Sequence, residues 1–469
     1  MIVLCKIRIK VFTKWVRKVR SMQTIIEPQK KIPVIAEADV CVLGGSCTGV
    51  FAAVRAARLG MRVVLIEQLG SLGGVATAGL VNIWHTLMDM DDREQIIAGL
   101  TDEVITVLKT RGALTVQDNR SSTYNFNPME LTILLDELIR ENGIRLMLHT
   151  SYSAVAEEGG RLDAVIVENR DGRGAVRAKF FVDATGDGYV CRDLGIERYV
   201  SDYIQPPTAC FHLQGNVEGK DLKRIWKEHG AEFGLTDDWG WSARVAGLRG
   251  ITMRADMHIF GVRCDRAEDL TRAEVEGRRQ ARAMIELLKK YGDPEENYAI
   301  TNLCSSLGVR ETVHYRTRMQ ANETALLTGE RYDAPILKGT YPVDIHHHGD
   351  GGITFKYLDG RRRTKWGKGT RTETGNWREE MGLTGEPAKY YQIPFDVLVG
   401  ERYENFIAAG RMINADEGAY GALRVMVNLN QLGEAAGVAA ALCCEHGTPL
   451  QSLDGRLVSE TLRKGGSAV

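Results

Sequence analysis

Short apolar runs alternate with longer small-residue stretches along the first part of the chain. Residues 38–43 (ADVCVL) are apolar, an alanine-rich stretch (VFAAVRAARLG) continues to Gly60, and a second apolar run (MRVVLIE) ends at Glu67. Short apolar runs next to glycine are typical of buried strands, whereas the longer alanine-rich stretch is typical of a helix. The pattern therefore predicts a strand, a helix and a second strand within about 30 residues.

The turn between the first strand and the helix is rich in glycine, with the sequence GGSCTG at residues 44–49. Gly44 permits a sharp turn, Gly49 lets the helix pack close to the sheet, and the N–H groups at the start of the helix attract a pyrophosphate. Ser46 replaces the second glycine of the usual fingerprint, and its hydroxyl can donate to a phosphate. Glu67 is placed to bind a ribose diol and would repel a 2′-phosphate. We therefore predict a dinucleotide-binding unit that does not take NADP.

Later segments extend this pattern. Four glycines fall within residues 70–79. The segment AKFFVDATGDG predicts a strand followed by a second glycine turn, and the segment ENFIAAGR predicts a further strand followed by a long small-residue helix. At these points the sequence resembles the FAD-dependent oxidoreductases with a glutathione-reductase-like FAD domain, in the subgroup distantly related to fumarate reductase and succinate dehydrogenase flavoproteins. The motifs LGVRE, YPVDIH and YQIPF also resemble that subgroup, and the resemblance runs from about Ala38 to Gly447.

The resemblance implies that FAD is the cofactor and that it is bound non-covalently. The residues that it implies as FAD contacts lie at the glycine turns, at the ends of neighbouring strands and near the start of the last helix. They are Gly44, Ser46, Thr48, Gly49, Glu67, Gly73, Gly74, Thr185, Gly186, Asp187, Gly410, Asp416 and Val425. Some related flavoproteins attach flavin covalently to a histidine at the position of His85, but the residues around His85 do not match that motif.

The resemblance also implies an α/β fold: a Rossmann-like FAD-binding domain, with a central parallel sheet and helices, into which an α+β substrate (cap) domain is inserted. We assign residues 36–199 and 386–450 to the FAD-binding domain and 200–385 to the cap. Residues 1–35 are predicted to be a basic extension and 451–469 a C-terminal tail. Within the cap, the sequence predicts a helix from about residue 268 to 291.

Arginine and histidine side chains of the family-like cap motifs are candidates for catalysis. Arg310 and Glu311 lie in LGVRE with His314 close behind, and Arg424 occupies roughly the place of an active-site arginine in the fumarate reductase relatives. The planar fork of arginine suits a carboxylate or an enolate, and histidine suits proton transfer near neutral pH. We predict Arg310, His314 and Arg424 as catalytic residues. The alternative is that Arg310 and Glu311 form a structural ion pair.

A second candidate cluster contains Asp344 and three consecutive histidines, His346, His347 and His348. Neighbouring side chains of an extended chain point to opposite faces, so three histidines in a row rarely bind one metal ion. We predict His346 as catalytic and no metal site. None of the nine cysteines has CxxC spacing, which argues against a zinc ribbon, an iron–sulfur cluster and a redox dithiol.

The distribution of charged residues limits the kinds of molecule that the protein is expected to bind. The chain has 60 basic and 61 acidic residues, so it has no global basic field for nucleic acid. Residues 359–380 are basic and contain aromatic residues; a solvated surface loop is favoured there over a nucleic-acid or phosphate-binding loop. Residues 1–21 contain seven basic and no acidic residues, which favours Met22 as the true start over a membrane-surface or transit segment. No apolar run is long enough to span a membrane, and we expect a cytoplasmic protein.

The predicted activity is two-electron hydride transfer between flavin N5 and a small organic substrate. One histidine or tyrosine would move a proton while Arg310 or Arg424 binds a substrate oxygen. The chain lacks a second GxGxxG unit, so an external electron donor or acceptor is expected. Two alternatives stay open: a flavin monooxygenase, and a non-catalytic protein in which FAD is a structural brace. A homo-oligomer is a family-level expectation.

Overall fold

The structure is a computed structural model that describes residues 24–117, 123–217, 221–235, 240–348, 351–366 and 371–469. The basic segment 1–21 and the predicted start at Met22 lie outside the described residues. Residues 24–33 form neither helix nor strand, and Val34–Val469 is a compact unit by itself.

The helices of the described chain lie between the strands and at the C-terminal end. They are α1 (Cys47–Arg58), α2 (Leu100–Thr110), α3 (Pro128–Glu141), α4 (Tyr189–Asp193), α5 (Asp221–His229), α6 (Ala267–Tyr291), α7 (Glu323–Thr328), α8 (Trp377–Glu380), α9 (Glu417–Leu423), α10 (Met426–His446) and α11 (Gly455–Lys464).

The strands form one large sheet and several small ones. They are β1 (Val34–Leu43), β2 (Val63–Ile66), β3 (Ile83–Trp84), β4 (Leu114–Gln117), β5 (Thr123–Phe126), β6 (Arg145–Met147), β7 (Ser151–Glu158), β8 (Arg161–Asn169), β9 (Gly172–Asp183), β10 (Arg198–Tyr199), β11 (Phe211–Gln214), β12 (Trp241–Arg244), β13 (Ile251–Ala255), β14 (Ala299–Leu303), β15 (His314–Tyr315), β16 (Pro335–Gly339), β17 (Val343–His346), β18 (Ile353–Lys356), β19 (Arg361–Trp366), β20 (Arg371–Asn376), β21 (Tyr391–Pro394) and β22 (Phe406–Ala408).

The large sheet confirms the predicted central parallel sheet. Its parallel part has the strand order β6-β2-β1-β9-β22, and β8 and β7 continue it in antiparallel fashion beside the first half of β9. Val40 of β1 pairs with Val63 on one side and Phe180 on the other, and all three are buried. Strands that are buried on both faces read as continuous apolar runs, which is why the sequence revealed them. Their carboxyl ends meet at one edge of the sheet, where ligands of such sheets bind.

Helices α1 and α10 pack against each other through small residues. A Cβ added to Gly433 of α10 would lie 2.1 Å from the backbone oxygen of Thr48 in α1, and one added to Gly437 would lie 2.1 Å from the oxygen of Ala52. No side chain fits at either position. The glycines of α10 therefore allow backbone contact with α1, which lies against the edge of the sheet described above.

The C-terminal segment differs from the predicted tail. Helix α11 buries Val458 and Leu462, and the hydroxyl of Ser459 donates to the backbone oxygen of Pro335. Beyond it, Ser467 bonds to the buried ion pair between Arg55 and Glu434, whose guanidinium Nε lies 2.6 Å from the Glu434 carboxylate. Residues 451–469 thus contribute buried side chains to the core, although Glu460 and Lys464 of the same segment are exposed. The sequence did not show this because the partners are far away in the chain.

Antiparallel strands dominate the middle of the chain. One sheet has the order β12-β13-β11-β14, and α6 packs on it through apolar residues that include Phe211, Met284 and Leu287. The predicted helix at 268–291 is therefore confirmed. A second sheet has the order β17-β18-β19-β20. Its last two strands and α8 lie where a surface loop was predicted at 359–380, although 367–370 are outside the described residues.

Within the described ranges, no helix combines the length and the apolar character that a membrane-spanning segment needs. Strands β16 and β21 pair across the predicted boundary at residue 386. The division into an FAD-binding domain and an inserted cap stays a prediction.

Candidate functional site

The first glycine turn is shaped by close backbone contacts. Gly44 has a φ of +92°, and a Cβ there would lie 2.7 Å from the backbone oxygen of Ala184. A Cβ on Gly49 would lie 1.8 Å from the oxygen of Gly44. Only glycine fits at either position, as the motif predicted. Ser46 is the N-cap of α1: its hydroxyl accepts from the Gly49 N–H at 3.5 Å and lies 3.4 Å from the Ala184 oxygen. The Ser46 hydroxyl is therefore engaged within the turn.

Glu67 follows directly after β2. Its two carboxylate oxygens accept the N–H groups of Gly45 at 2.6 Å and Leu69 at 2.7 Å. Burial raises the pKa of Glu67 although these two hydrogen bonds oppose the change. Each carboxylate oxygen can accept a second hydrogen bond. The geometry thus leaves Glu67 able to bind a diol.

A second turn follows β9. Thr185 donates both its N–H and its hydroxyl to Asp183, and burial raises the pKa of Asp183 to about 6. Asp187 forms an ion pair with Arg411, whose Nη2 lies 2.7 Å from its carboxylate. The Nε of Arg411 donates to the backbone oxygen of Gly186. Arg411 connects the turns after β9 and β22, and no local sequence pattern indicated this pairing.

A cavity of about 610 Å³ begins at these turns. Most of the residues that the sequence predicted for FAD line it: Gly44, Ser46, Thr48, Glu67, Gly73, Gly74, Thr185, Gly186, Asp187, Gly410 and Val425. Gly49 does not line the cavity. The absence of a side chain there lets the start of α1 approach the backbone of Gly44. Asp416 does not line this cavity, because its carboxylate caps α9 through the Ala419 N–H and also accepts the Glu323 N–H.

The cavity ends at a cluster of five polar side chains, which come from the cap motifs and from the turn before α10. We call this cluster the polar end. They are Arg310, Tyr341, Asp344, His346 and Arg424. Three of the four predicted catalytic residues, Arg310, His346 and Arg424, are among them.

Asp344 is at the centre of the polar end. The Tyr341 hydroxyl donates to its Oδ2 at 2.6 Å, and Nη2 of Arg424 lies 2.9 Å from the same oxygen. Nε2 of His346 lies 3.6 Å from Oδ1. The side chains of Asp344 and Arg424 are only 6% and 9% exposed, so their mutual attraction is little screened by solvent.

The arginines of the polar end have different partners. Nη1 of Arg310 donates to the Pro206 oxygen and the Thr208 hydroxyl, each at 2.6 Å. Burial lowers the pKa of Arg310 to about 10, and the charge of Arg424 acts in the same direction. Burial is also the largest influence on Arg424 and by itself lowers its pKa, but Asp344, together with Tyr341, Tyr420 and Glu311, outweighs burial and raises the pKa of Arg424. Both guanidinium groups are therefore charged near neutral pH.

Histidines at the cavity are held neutral by burial. Burial lowers the pKa of His346 well below its ordinary value, and nearby His258, Arg310 and Arg424 act in the same direction. Burial lowers the pKa of His85 to about 4. His85 also lines the cavity, and its ring lies 4.2 Å from that of Tyr341. Both rings are therefore uncharged at neutral pH.

His314 lies outside the cavity, contrary to its predicted catalytic role. Its Nε2 lies 3.0 Å from Glu311 and its Nδ1 lies 2.8 Å from the backbone oxygen of Ile413. The ring is fully buried against Tyr199 and Tyr420. Glu311 therefore pairs with His314, and the alternative of an Arg310–Glu311 ion pair is not what the structure shows.

The other two histidines of the trio do not converge with His346. His347 bonds to the Thr354 hydroxyl, and His348 bonds to the backbone oxygen of Ile204. Among the residues that the structure describes, no group of three His, Cys, Asp or Glu side chains is arranged to hold a metal ion.

The residues present fit a bound FAD. Gly44 and Gly74 line the cavity, and the absence of side chains there lets the backbone of Gly44 approach Ala184 and that of Gly74 approach Ser46, where a Cβ would lie 3.0 Å away. The carboxylate of Glu67 lies at one end of the cavity, and the N-terminus of α10, with Val425 and Met426, lines it as well. This combination of an open glycine turn, an acid after β2 and helix N-termini suits a dinucleotide.

The chain is similar to several known proteins. A curated relative, mitochondrial dihydrolipoyl dehydrogenase of Schizosaccharomyces pombe, is 25% identical over 219 residues, which are 42% of this chain and only 39% of that protein. A geranylgeranyl bacteriochlorophyll reductase-like protein from Thermoplasma acidophilum is 11% identical, with 92% of this chain and 82% of that chain covered at a TM-score of 0.44. The anhydrotetracycline hydroxylase OxyS from Streptomyces rimosus is 12% identical, with 92% and 66% covered at a TM-score of 0.40.

The family model described as FAD-dependent oxidoreductase matches residues 39–462, which is most of the chain. The match confirms the predicted family and FAD as the cofactor. This chain belongs to the FAD-dependent oxidoreductase family.

Proposed function

We propose that this protein transfers a hydride between the N5 atom of non-covalently bound FAD and a small organic substrate at a C–H, C–OH or C=C group. The observation that carries the proposal is the continuity of the cavity. It runs from the dinucleotide-type turns at Gly44 and Gly186 to the buried polar end with Arg310 and Arg424. A substrate at the polar end would lie in the same cavity as the cofactor.

Residues at the turns would hold the cofactor. Glu67 would accept the ribose hydroxyls, the N-terminus of α1 would face the pyrophosphate, and the turn at Thr185–Gly186 would lie along the ribityl chain. The N-terminus of α10, capped by Val425, would present its positive dipole end to the flavin. Bound FAD supplies the two-electron redox chemistry of the reaction.

Residues at the polar end would hold the substrate. Arg424 has a charged guanidinium in the cavity and would bind a substrate oxygen, while Arg310, fixed by Pro206 and Thr208, would add a second positive charge. These charges would stabilise negative charge that develops on the oxygen during the reaction.

A proton must also move when a C–OH or C=C group reacts. Tyr341 is the hydroxyl of the polar end that carries a proton near neutral pH, because burial and the charge of Asp344 raise its pKa well above its ordinary value. His346 is neutral and can accept a proton. We assign proton donation to Tyr341 and proton acceptance to His346.

The visible spectrum of the purified protein tests the first part of this proposal. Flavin bands that pass into the supernatant after acid precipitation are expected for non-covalent FAD. Bands that stay with the pellet would contradict this and indicate attachment at His85, which lines the cavity.

Anaerobic screening of organic acids, sugars and alcohols tests the second part. The proposal predicts that a substrate bleaches the flavin bands without oxygen. A protein that no compound bleaches, but that consumes oxygen during substrate hydroxylation when an external reductant is present, would be a monooxygenase. A coloured protein with neither activity would support the role of FAD as a structural brace.

A further inference from the structure

The polar end carries an unequal number of buried positive and negative charges. Arg310 and Arg424 are both cationic, and Asp344 is the acidic side chain among the five residues of the polar end. Its Oδ2 lies 2.9 Å from Nη2 of Arg424. Asp344 therefore balances one of the two guanidinium charges and leaves one positive charge unbalanced.

Glu67 also lines the cavity but lies at its dinucleotide end, where its carboxylate accepts the N–H groups of Gly45 and Leu69. The other titratable side chains close to the polar end do not change the balance there. Burial lowers the pKa of His346 and His85, so both are neutral near neutral pH. Burial and Asp344 raise the pKa of Tyr341, so its hydroxyl is protonated. Farther along the cavity, Arg411 is paired with Asp187, and this pair is also neutral as a whole.

The neighbouring acid Glu311 has its own hydrogen-bond partners. Both ring nitrogens of His314 lie within 3.0 Å of an acceptor oxygen, one on Glu311 and one on Ile413. The remaining oxygen of Glu311 accepts the N–H of Gln205 at 2.7 Å. Both oxygens of Glu311 are thus engaged by His314 and Gln205, and neither Glu311 nor His314 lines the cavity.

Asp344 leaves part of the Arg424 guanidinium without a hydrogen bond. Although Nη2 of Arg424 is close to Asp344, neither Nε nor Nη2 makes a hydrogen bond of good geometry within the described residues, and both atoms are buried. Nη1 of Arg310, in contrast, is held by Pro206 and Thr208. Nε and Nη2 form the edge of a guanidinium that binds the two oxygens of a carboxylate side by side.

We propose that Asp344 is an internal counter-ion that sets the charge of the ligand, so that the polar end accepts a substrate with a single carboxylate, bound by Nε and Nη2 of Arg424. This inference rests on the proposed function and specifies its substrate class. A second carboxylate would meet Asp344 and would bring an uncompensated negative charge into a buried site, which is costly. Asp344 is a specificity-determining residue in this account.

The test compares two three-carbon anions, propionate with one charge and malonate with two. Binding to the purified holoenzyme is measured by calorimetry and by the shift of the flavin absorption bands, at constant ionic strength near neutral pH. We expect propionate to bind at least about tenfold more tightly than malonate, since like charges at close range in a buried site repel strongly. Wild-type protein that prefers malonate, or that binds neither anion, would overturn the proposal.

Variants at Asp344 separate its charge from its packing. Asp344→Asn removes the charge and is expected to change the ratio of propionate to malonate affinity by about tenfold in favour of malonate. Asp344→Glu keeps the charge and should keep the preference for propionate. Tyr341→Phe removes the hydrogen bond to Asp344 but no charge, so the ratio should stay within about twofold.

The matched control is Asp256→Asn. Asp256 also forms a buried ion pair, with Arg254 at 2.7 Å, but it does not line the cavity. Its substitution should leave the ratio unchanged. An unchanged ratio in Asp344→Asn would overturn the proposal; if that variant does not fold, the wild-type preference decides. Selective propionate binding to a protein whose flavin no substrate bleaches would refute the proposed redox function and leave the charge selectivity intact.

Discussion

Gly433 of α10 touches the backbone of Thr48 in α1 so closely that a Cβ at residue 433 would stand 2.1 Å from the Thr48 oxygen. Thr48 lines the cavity at its dinucleotide end. The packing of two helices in the core is thereby coupled to the position of the first glycine turn.

Gly433→Ala should lower stability and weaken FAD binding together. A methyl group at this position must push α10 away from α1, and overpacking of this kind costs about 1–3 kcal/mol. Thermal unfolding followed by circular dichroism, with flavin content measured on the same samples, checks the prediction. Gly385→Ala is the control, because a Cβ at Gly385 meets no atom within 4 Å. Full flavin content in a destabilised Gly433→Ala protein would contradict the proposed coupling between helix packing and FAD binding.

Glu67→Gln should weaken FAD binding with little effect on folding. The amide can keep one of the two backbone hydrogen bonds that Glu67 now accepts, from Gly45 and Leu69, but it cannot offer two charged oxygens to a ribose. A hydrogen bond to a charged group contributes about 1.5–3 kcal/mol, so FAD affinity should fall at least about tenfold. The dissociation constant can be measured by the recovery of flavin fluorescence. An unchanged dissociation constant for FAD would show that Glu67 does not bind the cofactor.

The two histidines His314 and His346 should behave differently when replaced by glutamine. His314 completes a buried pair with Glu311, so His314→Gln should destabilise the fold by about 3 kcal/mol. His346 lies 3.6 Å from Asp344 and has no such pair, so His346→Gln should cost about 1 kcal/mol or less and should slow substrate-dependent bleaching instead. Denaturant unfolding and stopped-flow absorbance measure the two effects. Slower bleaching in His314→Gln, together with a larger loss of stability in His346→Gln, would support the catalytic role predicted for His314.

Stability should fall on acidification partly because of His212. Burial lowers the pKa of this side chain to about 4, against an ordinary value of 6.5. The unfolded chain therefore binds a proton that the folded chain does not, so the contribution of His212 is fully present above pH 6.5 and is lost as the pH falls towards 4. The gap between the two values corresponds to up to about 3 kcal/mol.

Unfolding curves at a series of pH values, for wild type and His212→Gln, isolate this contribution. The variant should lose less stability than wild type between pH 6.5 and 4. His446→Gln, at an exposed residue near the end of α10, is the control and should follow wild type. Parallel curves for wild type and His212→Gln would show that His212 is not protonated on unfolding in this range.

The dinucleotide end could be predicted from sequence because its residues are close together in the chain. Gly44, Ser46 and Gly49 are fixed by one tight turn, and Glu67 follows at the end of the next strand. Such a motif can be recognised from the local spacing of its residues, and the structure places these residues as the spacing indicated. The strands β1 and β2 were predictable for the same reason, since burial on both faces leaves a continuous apolar run.

The polar end was predicted only in part because its contacts join distant segments. LGVRE and YPVDIH pointed to Arg310 and His346, but nothing local indicates that Asp344 contacts both Tyr341 and Arg424. His314 was assigned to catalysis from its residue type. Its burial against Glu311 depends on the tertiary fold.

The most direct test of the account is anaerobic flavin bleaching by a substrate, compared between wild type, Arg424→Gln and Arg254→Gln. Arg254 is a buried arginine paired with Asp256 outside the cavity, whereas Arg424 lines it. The account predicts that Arg424→Gln retains its flavin bands but bleaches at least about a hundredfold more slowly, as expected when a charge that stabilises the transition state is removed. Arg254→Gln should bleach at the wild-type rate. Equal bleaching in Arg424→Gln and wild type would show that the substrate does not bind at the polar end and would contradict the proposed function.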